Sequence, residues 1–242
     1  MGTTGETLLP VAVLAGGLGT RLGDIARDRP KALVPVAGEP FVHHQLRLLS
    51  RQGAQRVVLC VGHLGEQIAE AVGDGSRFGL EVDYALDGRE PVGTAGALRQ
   101  ALPLLGETFL VTYGDAYLHI DHLAVQRAFR ARGRPGLMTV LRNDGAWGES
   151  NAVYEDGLVV AYDKRVPPVG AHWIDYGLLA FAASVFRESR TPDLSELCAE
   201  LASARQLAGF LATERFYEIG TPEALREVDT LLRSAGPAPD QA

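Results

Sequence analysis

The residues of this sequence best suited to chemistry surround a glycine-rich turn near its start. Three glycines fall within four positions, after a short apolar run that ends at Leu14 and Ala15. They are Gly16, Gly17 and Gly19, and they are followed by Thr20, Arg21 and, further along, Lys31. Because glycine has no Cβ, its backbone N–H groups can approach a ligand closely, and such groups together with cations bind phosphates. The turn therefore predicts a site for a polyphosphate, with Arg21 and Lys31 supplying positive charge.

The composition predicts a globular protein that does not bind nucleic acid or span a membrane. The chain has 242 residues, of which 46% are hydrophobic and 22% are charged, and its formal net charge is −7. An acidic chain lacks the basic field of a nucleic-acid-binding protein, so the positive charge of a phosphate site must be concentrated at a few residues. No uncharged apolar stretch is long enough to span a bilayer.

The two cysteines, Cys60 and Cys198, do not have the spacing of a metal site. Cys60 lies within an apolar run, which predicts a buried thiol. The first residues of the chain carry neither the basic region nor the apolar region of a signal peptide. These observations favour a reducing, cytoplasmic location.

Strand and helix patterns alternate through the first half of the chain. Short apolar runs predict strands, and apolar residues at helical spacing predict the helices between them. The predicted order is strand 9–14, helix 41–51, strand 56–61, helix 64–72, strand 81–86, helix 94–105 and strand 108–112. This order is typical of a parallel sheet covered by helices on both faces, in which ligands bind at the carboxyl ends of the strands. The glycine-rich turn and the pair Gly114 and Asp115 both fall at such ends.

The second half of the chain is less regular. The predicted elements are helix 121–132, strand 136–142, a hairpin of strands 151–154 and 158–163, strand 172–181, and helices 192–204 and 221–233. Asp156 and Gly157 form the turn signal of the hairpin. No linker divides the chain, so we expect one domain over residues 1–234, followed by a flexible tail over residues 235–242.

Two common phosphate-binding motifs fit the turn poorly. A dinucleotide-binding fingerprint would have a glycine at the position of Leu22 and an acidic residue at the end of the second strand. A P-loop would have lysine followed by serine or threonine at the positions of Arg21 and Leu22. A purely structural turn explains one or two glycines but not the cations beside them. An NAD-dependent oxidoreductase is kept as an alternative, which saturable NAD binding would reveal.

The turn and a series of later segments resemble the sugar-1-phosphate nucleotidyltransferases, also called nucleotide-sugar pyrophosphorylases. The resemblance spans about residues 9–230, and the segments occur in the family's order, at residues 14–22, 30–38, 93–98, 113–115, 162–164, 174–177 and 216–222. It implies a Rossmann-like three-layer α/β/α fold with a mixed, mostly parallel central sheet. It also implies that residues 1–115 bind the nucleotide and residues 116–234 bind the sugar phosphate.

The resemblance further implies the reaction and its catalytic residues. An oxygen of a sugar 1-phosphate would attack the α-phosphorus of a nucleoside triphosphate, and pyrophosphate would leave. Arg21 would hold the departing β- and γ-phosphates, and Lys31 would stabilise charge at the α-phosphate. Asp115 would complete the catalytic set as a ligand of Mg²⁺. No general base is required, because the sugar phosphate is already an anion near neutral pH.

The binding residues follow from the same resemblance. The nucleotide would be bound by Leu14, Ala15, Gly16, Gly17, Gly19, Thr20, Arg21, Gly93, Thr94 and Ala95. The sugar phosphate would be bound by Gly114, Asp163, Lys164 and Asp175. Mg²⁺ would be bound by Asp115 and Glu218, since hard carboxylate oxygens suit this ion. The family usually has aspartate where Glu218 stands, so that carboxylate would bind the metal either directly or through water.

The base and the sugar are left open by the sequence. The chain most resembles the D-glycero-α-D-manno-heptose 1-phosphate guanylyltransferases in the sequences of residues 16–22 and 174–177 and in its short length. This resemblance implies GTP as substrate and GDP-heptose as product. The sequence of residues 73–80 resembles a stretch of the uridylyltransferases that act on N-acetylmuramate 1-phosphate or glucose 1-phosphate. UTP, CTP and dTTP therefore stay open, as does a relative that binds nucleotide sugars without turnover. The sequence does not specify the oligomeric state, and a homodimer is one possibility because it is the commonest soluble assembly.

Overall fold

The computed structural model describes residues 6–17, 19–87 and 91–234, apart from the side chain of Thr20. The strands of the described chain are β1 (Val11–Leu14), β2 (Pro35–Val36), β3 (Glu39–Pro40), β4 (Arg56–Val61), β5 (Glu81–Leu86), β6 (Thr108–Tyr113), β7 (Ala116–Tyr117), β8 (Gly136–Arg142), β9 (Ala152–Glu155), β10 (Leu158–Tyr162), β11 (Trp173–Ala182), β12 (Leu207–Ala212) and β13 (Tyr217–Glu218). The α-helices are α1 (Phe41–Arg51), α2 (Gly65–Val72), α3 (Thr94–Leu105), α4 (His122–Arg132), α5 (Ser184–Glu188), α6 (Leu194–Ser203) and α7 (Pro222–Ser234). Short 3₁₀ helices cover Thr20–Ala26, Lys31–Leu33 and Ser76–Phe78.

Nine of the strands form one central sheet in the order β5-β4-β1-β6-β11-β8-β12-β10-β9. The strands β5, β4, β1 and β6 pair in parallel, because helices carry the chain back between them. Beyond β6 the pairing is mixed: β11 is antiparallel to β6 and β8, β12 is parallel to β8, and β10 is antiparallel to β12 and β9. The mixed α/β sheet is confirmed, but parallel pairing is confined to the first half and to β8–β12. The second half differs because a hairpin and the long strand β11 return the chain without a crossover helix.

Helices cover both faces of the sheet, as the sequence predicts. One core joins alternate residues of β1 and β4, such as Val13 and Leu59, to the apolar faces of α1, α2 and α4. The other core joins the intervening residues, such as Ala12 and Val58, to α3, α5 and α6. Both faces of the central strands are therefore buried, which explains why their sequences are continuous apolar runs rather than alternating ones.

A smaller apolar cluster holds the end of the chain against its beginning. Val228 of α7 and Ile219 pack with Val36 of β2 and with Phe41 and Leu48 of α1. The backbone N–H of Ala37 donates to Asp229 on α7 at 2.6 Å. These contacts anchor the segment of β13, which carries Glu218, near the amino-terminal part of the chain.

Most predicted elements lie where the pattern places them. The bounds of α1, β4, β5, α3 and β8 match the predicted ranges, and the other predicted elements begin and end within about two residues of them. The elements missed by the pattern are the two-residue strands, α5, the 3₁₀ helices and β12. The run Leu207–Ala212 is almost wholly apolar and was a signal for β12, whereas two-residue strands leave no periodicity to detect. The predicted tail, residues 235–242, lies outside the described residues.

The prediction of a buried thiol at Cys60 is confirmed. Both cysteines are buried and free, and burial raises the pKa of the Cys60 thiol to about 12. None of the helices described by the structure has the length and apolar character needed to cross a bilayer.

Candidate functional site

The glycine-rich turn begins at the carboxyl end of β1, between the ends of β4 and β6. The N–H of Ala15 donates to the carbonyl of Cys60 at 2.8 Å, and the carbonyl of Leu14 accepts from the N–H of Gly114 at 2.9 Å. Ala15 is also buried. Both backbone groups are therefore used between neighbouring strand ends, and they fix the start of the turn. The contacts of Leu14 and Ala15 with a nucleotide stay a prediction.

The three glycines of the turn have different surroundings. A Cβ on Gly16 would lie 3.2 Å from the backbone N of Gly62, which shows how closely the turn packs on the end of β4. Gly17 is exposed, and a Cβ there would meet nothing within 4 Å. Gly19 has a φ of +63° and brings the turn to the Cβ of Lys31. The exposed Gly17 thus lies two residues before a glycine that packs against Lys31, an arrangement that suits a phosphate site. Thr20 begins the following 3₁₀ helix, and its side chain is not among those that the structure describes.

Two of the predicted catalytic residues are in direct contact. The Nζ of Lys31 donates to an Oδ of Asp115, and the two side chains are only 13% and 25% exposed. Asp115 lies in the turn between β6 and β7, which passes beside the glycine turn. A Cβ on Gly114 would lie 2.9 Å from the Cα of Ala15. Gly114 therefore allows this close approach of the two turns, and its contact with the sugar phosphate stays a prediction.

A buried glutamine holds the turn that carries Asp115. Gln45 on α1 is 3% exposed, and its Nε2 donates to the carbonyls of Tyr113 at 2.7 Å and Ala116 at 2.8 Å. These carbonyls flank Gly114 and Asp115. Sequence reasoning missed Gln45, although a glutamine on the apolar face of a predicted helix was a signal that its amide has a buried partner.

Long-range pairing brings Glu218 and Arg21 to the same place. The short strand β13 is antiparallel to β7 and sets Glu218 opposite Ala116, and the N–H of Ile219 donates to the carbonyl of Asp115 at 3.0 Å. A Cβ on Gly220 would lie 2.9 Å from an Oε of Glu218 and 3.2 Å from an Nη of Arg21. Arg21, Glu218, Lys31 and Asp115 thus converge beside the open side of the glycine turn.

This donor set fits Mg²⁺ when phosphates supply further ligands. Asp115 directly precedes β7 and Glu218 lies on β13, which pairs with β7. Both are hard carboxylate donors, and Mg²⁺ is commonly held by one or two carboxylates together with phosphate oxygens and water. Within the described residues, no group of three or more histidine, cysteine, aspartate or glutamate side chains could hold a metal ion by itself. The arrangement therefore suits a metal that arrives with a polyphosphate rather than a self-contained protein site.

A second lysine lies beyond Asp115, above a buried carboxylate. The Nζ of Lys164 lies 2.9 Å from Asp175 and donates to the hydroxyl of Tyr113 at 3.1 Å. Asp175 has a side chain 2% exposed and also accepts from the hydroxyls of Tyr113 at 3.3 Å and Tyr162 at 3.2 Å. Burial lowers the pKa of Lys164, but the ion pair with Asp175 outweighs it and raises that pKa above the usual value. Lys164 therefore keeps its positive charge, and its two contacts hold the ammonium group in place.

The predicted sugar-phosphate residues have unequal access to a ligand. Lys164 keeps 37% of its side chain exposed, whereas Asp175 lies beneath it and serves to position the ammonium group. Asp163 is exposed, but one of its oxygens accepts from the N–H groups of Arg165 at 2.7 Å and Val166 at 2.9 Å. Asp163 thus closes the turn after β10 and leaves its second oxygen for a ligand.

The predicted base-contacting segment is partly engaged by another part of the chain. Gly93 has a φ of +76° and packs against Pro192. The N–H of Ala95 donates to the carbonyl of Pro192 at 2.8 Å, and the hydroxyl of Thr94 accepts from the N–H of Leu194 at 2.8 Å. Ala95 is fully buried. Gly93 and Thr94, both exposed, are therefore the accessible part of the segment, and the contact of Ala95 with a nucleotide stays a prediction.

Comparisons with known proteins show what the chain is similar to. Residues 11–150 match the family model described as nucleotidyl transferase. An N-acetylmuramate alpha-1-phosphate uridylyltransferase of Neisseria meningitidis is 40% identical over 113 residues, which are 46% of this chain and 49% of that one. The chain thus covers about half the length of that relative. A D-glycero-alpha-D-manno-heptose 1-phosphate guanylyltransferase of Campylobacter jejuni is 27% identical over 215 residues, 87% of this chain and 94% of that one.

A solved structure shares the fold over nearly the whole chain. HddC from Yersinia pseudotuberculosis, crystallised in complex with GMP-PN, aligns with a TM-score of 0.78 and 24% identity, covering 93% of this chain and 100% of that one. The glycine turn, Arg21, Lys31 and Asp115 lie within the residues that the family model matches. The protein belongs to the nucleotidyl transferase family.

Proposed function

We propose that the protein transfers a nucleoside monophosphate from a nucleoside triphosphate to a sugar 1-phosphate and releases pyrophosphate. The preferred pair is GTP and D-glycero-α-D-manno-heptose 1-phosphate, with GDP-heptose as the product. The part up to about residue 115 binds the nucleotide, and residues 116–234 bind the sugar phosphate.

The convergence of Arg21, Lys31, Asp115 and Glu218 at the glycine turn carries this proposal. Lys31 and Asp115 are in contact, and the side chains of Arg21 and Glu218 both lie against Gly220. Two cations beside open backbone N–H groups suit the triphosphate, and two carboxylates suit the metal that accompanies it. Lys164, fixed by Asp175, is suited to the phosphate of the second substrate.

The reaction needs positioning and charge neutralisation more than proton transfer. A non-bridging oxygen of the sugar 1-phosphate forms the new bond to the α-phosphorus, and the bond from that phosphorus to the oxygen bridging to the β-phosphorus breaks. Its electron pair leaves with pyrophosphate. Lys164 orients the attacking phosphate, Lys31 stabilises negative charge at the α-phosphorus, and Arg21 holds the leaving phosphates through its planar donors. Mg²⁺ bound by Asp115 and Glu218 would offset the repulsion between the two anionic substrates.

The preference for GTP rests on the relatives. The match with the guanylyltransferase from Campylobacter jejuni covers 94% of that protein, and HddC was crystallised with GMP-PN. A UTP-dependent activity on N-acetylmuramate 1-phosphate or glucose 1-phosphate is the second candidate, because the uridylyltransferase from Neisseria meningitidis is 40% identical over the shorter stretch. CTP and dTTP are less favoured members of the same class.

Pyrophosphate release tests the proposal directly. The protein is incubated with Mg²⁺, each of GTP, UTP, CTP, dTTP and ATP, and a panel of sugar 1-phosphates that includes the heptose, N-acetylmuramate and glucose esters. We expect pyrophosphate and a nucleotide-diphosphate sugar with GTP and the heptose ester. A higher rate with UTP would favour the second candidate. Nucleotide-sugar binding without pyrophosphate release from any pair would instead identify a non-catalytic relative.

A further inference from the structure

A segment from the second half of the chain is bonded to the first turn of α3. This bridging segment, residues 189–194, leads from the end of α5 to the start of α6. The carbonyl of Pro192 accepts from the N–H of Ala95 at 2.8 Å, and the N–H of Leu194 donates to the hydroxyl of Thr94 at 2.8 Å. The beginning of α3 is therefore held from outside its own half of the chain.

One arginine on α3 holds the other end of the bridging segment. Arg99 is half-buried, and its Nε donates to the carbonyl of Phe186 at 2.8 Å. One of its Nη atoms donates to the carbonyls of Ser189 at 3.0 Å and Thr191 at 3.1 Å. A guanidinium can serve three acceptors at once because its five N–H donors form a rigid planar fork. Arg99 therefore ties α3 to the end of α5 and to the first residues of the bridging segment.

The bridging segment is also fixed where α6 begins. Asp193 caps this helix, and one of its oxygens accepts from the N–H of Ser195 at 2.7 Å. The ring of Pro192 restricts its own φ. Because Arg99 holds one end and the cap of α6 holds the other, the carbonyl of Pro192 has a defined position. It can therefore set the position of the first turn of α3.

The residues at the start of α3 make this arrangement relevant to substrate binding. Gly93 and Thr94 are exposed, and they are the accessible residues of a segment that is expected to contact the nucleotide. A Cβ on Gly93 would lie 2.4 Å from the carbonyl oxygen of Pro192, so the bridging segment lies directly against this glycine. The exposed turn thus rests on residues from the half of the chain that is proposed to bind the sugar phosphate.

We propose that Arg99 is a positioning residue for the nucleoside triphosphate. It holds the bridging segment, so that Pro192 keeps Gly93 and Thr94 where they can contact the nucleotide, and Arg99 itself does not touch the substrate. This inference rests on the proposed nucleotidyl transfer and deepens it, because the nucleotide site is then assembled from both halves of the chain. Binding of the sugar 1-phosphate does not depend on Arg99, since Lys164 is held by a separate set of contacts.

Replacement of Arg99 by methionine tests this inference, because methionine keeps an unbranched side chain and lacks the guanidinium donors. GTP and UTP are each titrated calorimetrically into the protein with Mg²⁺ and without a sugar phosphate. For whichever triphosphate the wild type binds, we expect the Kd to rise about threefold to tenfold in Arg99→Met, which corresponds to the loss of about one net hydrogen bond. In turnover assays the KM for the triphosphate should rise similarly, and the KM for the sugar 1-phosphate should stay near that of the wild type.

Arg187→Met is the matched control. Arg187 lies on α5, but its guanidinium pairs with Glu107 at 2.6 Å and 2.9 Å, and both side chains are exposed. Its loss should leave the Kd of the triphosphate unchanged. Arg99→Lys keeps a cation on a flexible stem and should recover part of the affinity, because an ammonium group is a single point donor that cannot span all three carbonyls.

An unchanged Kd for the triphosphate in Arg99→Met, with a lower melting temperature, would leave Arg99 a purely structural role and overturn the inference. Equal increases in the KM values of both substrates would overturn it as well. If Arg99→Met does not fold, Pro192→Gly takes its place, since glycine loosens the backbone of the bridging segment. A raised Kd in that variant supports the inference, and an unchanged one overturns it.

The calorimetric measurement separates this inference from the proposed nucleotidyl transfer. A wild type that binds a triphosphate but releases no pyrophosphate with any sugar 1-phosphate removes the transfer reaction, and the comparison of Kd values still decides the role of Arg99. A wild type that binds neither GTP nor UTP overturns both.

Discussion

The two lysines of the site are each paired with an aspartate, but the pairs do different things. Lys31 contacts Asp115, whose side chain is 25% exposed and can turn to a metal. Lys164 contacts Asp175, whose side chain is 2% exposed and holds it from below. A partly exposed partner can be exchanged for a ligand when substrate binds, whereas a buried carboxylate cannot leave its cation without a large desolvation penalty. Lys31 is thus suited to transition-state stabilisation and Lys164 to substrate binding.

Replacing Lys31 by alanine should lower the turnover rate strongly and leave the fold intact. Loss of one donor to developing charge typically lowers kcat by about 10²–10³, so Lys31→Ala should lower the rate of pyrophosphate release at least tenfold. Circular dichroism would confirm that the variant folds. Arg27→Ala removes a nearby exposed cation that pairs with Asp24, and it should keep near-normal turnover. A near-normal rate for Lys31→Ala would remove Lys31 from the catalytic residues.

Replacing Lys164 by alanine should act mainly on the second substrate. Because Lys164 is expected to bind the phosphate of the sugar, Lys164→Ala should raise the KM for the sugar 1-phosphate more than the KM for the triphosphate. Initial rates with each substrate varied in turn give both constants. Arg165→Ala is a suitable control, since Arg165 is paired with Asp193 at 3.3 Å and Glu196 at 3.4 Å. Equal changes in both KM values would show that Lys164 is misplaced in this scheme.

At the level of elements, short strands and one helix decide where the acidic groups lie. The strands β7 and β13 have two residues each, yet their pairing sets Glu218 beside the turn that carries Asp115. The helix α1 contributes Gln45, whose amide donates to both ends of that turn. Since the turn is short and contains Gly114, these two contacts restrict the position of the Asp115 carboxylate.

Removal of the Gln45 amide should therefore weaken metal use. In Gln45→Leu the carbonyls of Tyr113 and Ala116 lose their donor inside the protein, which typically destabilises by about 1–3 kcal/mol. We expect a higher Mg²⁺ concentration for half-maximal activity and a lower kcat. Gln100→Leu, at an exposed position of α3, is the control for the substitution itself. If the variant lost stability but kept the Mg²⁺ titration of the wild type, Gln45 would have only a structural role.

Glu218 should respond differently from Gln45 to a conservative change. Glu218→Gln keeps the shape of the side chain but removes its charge, so the Mg²⁺ concentration needed for half-maximal activity should rise while thermal stability changes little. Glu223→Gln, at an exposed position of α7, provides the comparison. An Mg²⁺ titration that is the same for Glu218→Gln and the wild type would exclude Glu218 from metal binding.

At the level of the whole molecule, the sheet joins two differently built halves at β6. The parallel strands β5, β4, β1 and β6 bring the glycine turn and Asp115 to one edge, because the carboxyl ends of parallel strands lie together. The antiparallel strand β11 next to β6 supplies Asp175 beneath Lys164. Lys164 follows β10, but its contacts with Tyr113 at the end of β6 and with Asp175 on β11 place it beside the strand that leads to Asp115. The homodimer stays a prediction.

Stability of the whole protein should fall as the solution becomes mildly acidic. Burial lowers the pKa of His122 and, with a contribution from Arg77, that of His43 below the usual value of 6.5. The unfolded chain therefore binds these protons more readily than the native state. The associated stability is fully present above about pH 6.5 and is lost as the pH falls toward the native pKa values, by up to about 1.4 kcal/mol per pH unit for each histidine.

Urea unfolding at pH 7.5 and pH 5.5 measures this effect. His122→Gln should show a smaller loss of unfolding free energy between the two pH values than the wild type. His63→Gln changes an exposed histidine and should show the same loss as the wild type. Equal losses in all three proteins would assign the acid sensitivity to other groups.

Residue types and spacing were enough to predict the order of strands and helices, the glycine turn with Arg21 and Lys31, and the family. Apolar periodicity and glycine-rich turns are local properties of a chain, so they can be read without its tertiary structure. Other features depended on packing. The engagement of Ala95 by Pro192, the burial of Asp175 under Lys164 and the contacts of Gln45 all join residues far apart in sequence. Such partners are selected when layers of secondary structure pack and polar groups find donors or acceptors, and no local pattern encodes that outcome. The sequence by itself predicted a phosphate-binding turn, and the tertiary structure determined which carboxylates and amides surround that turn.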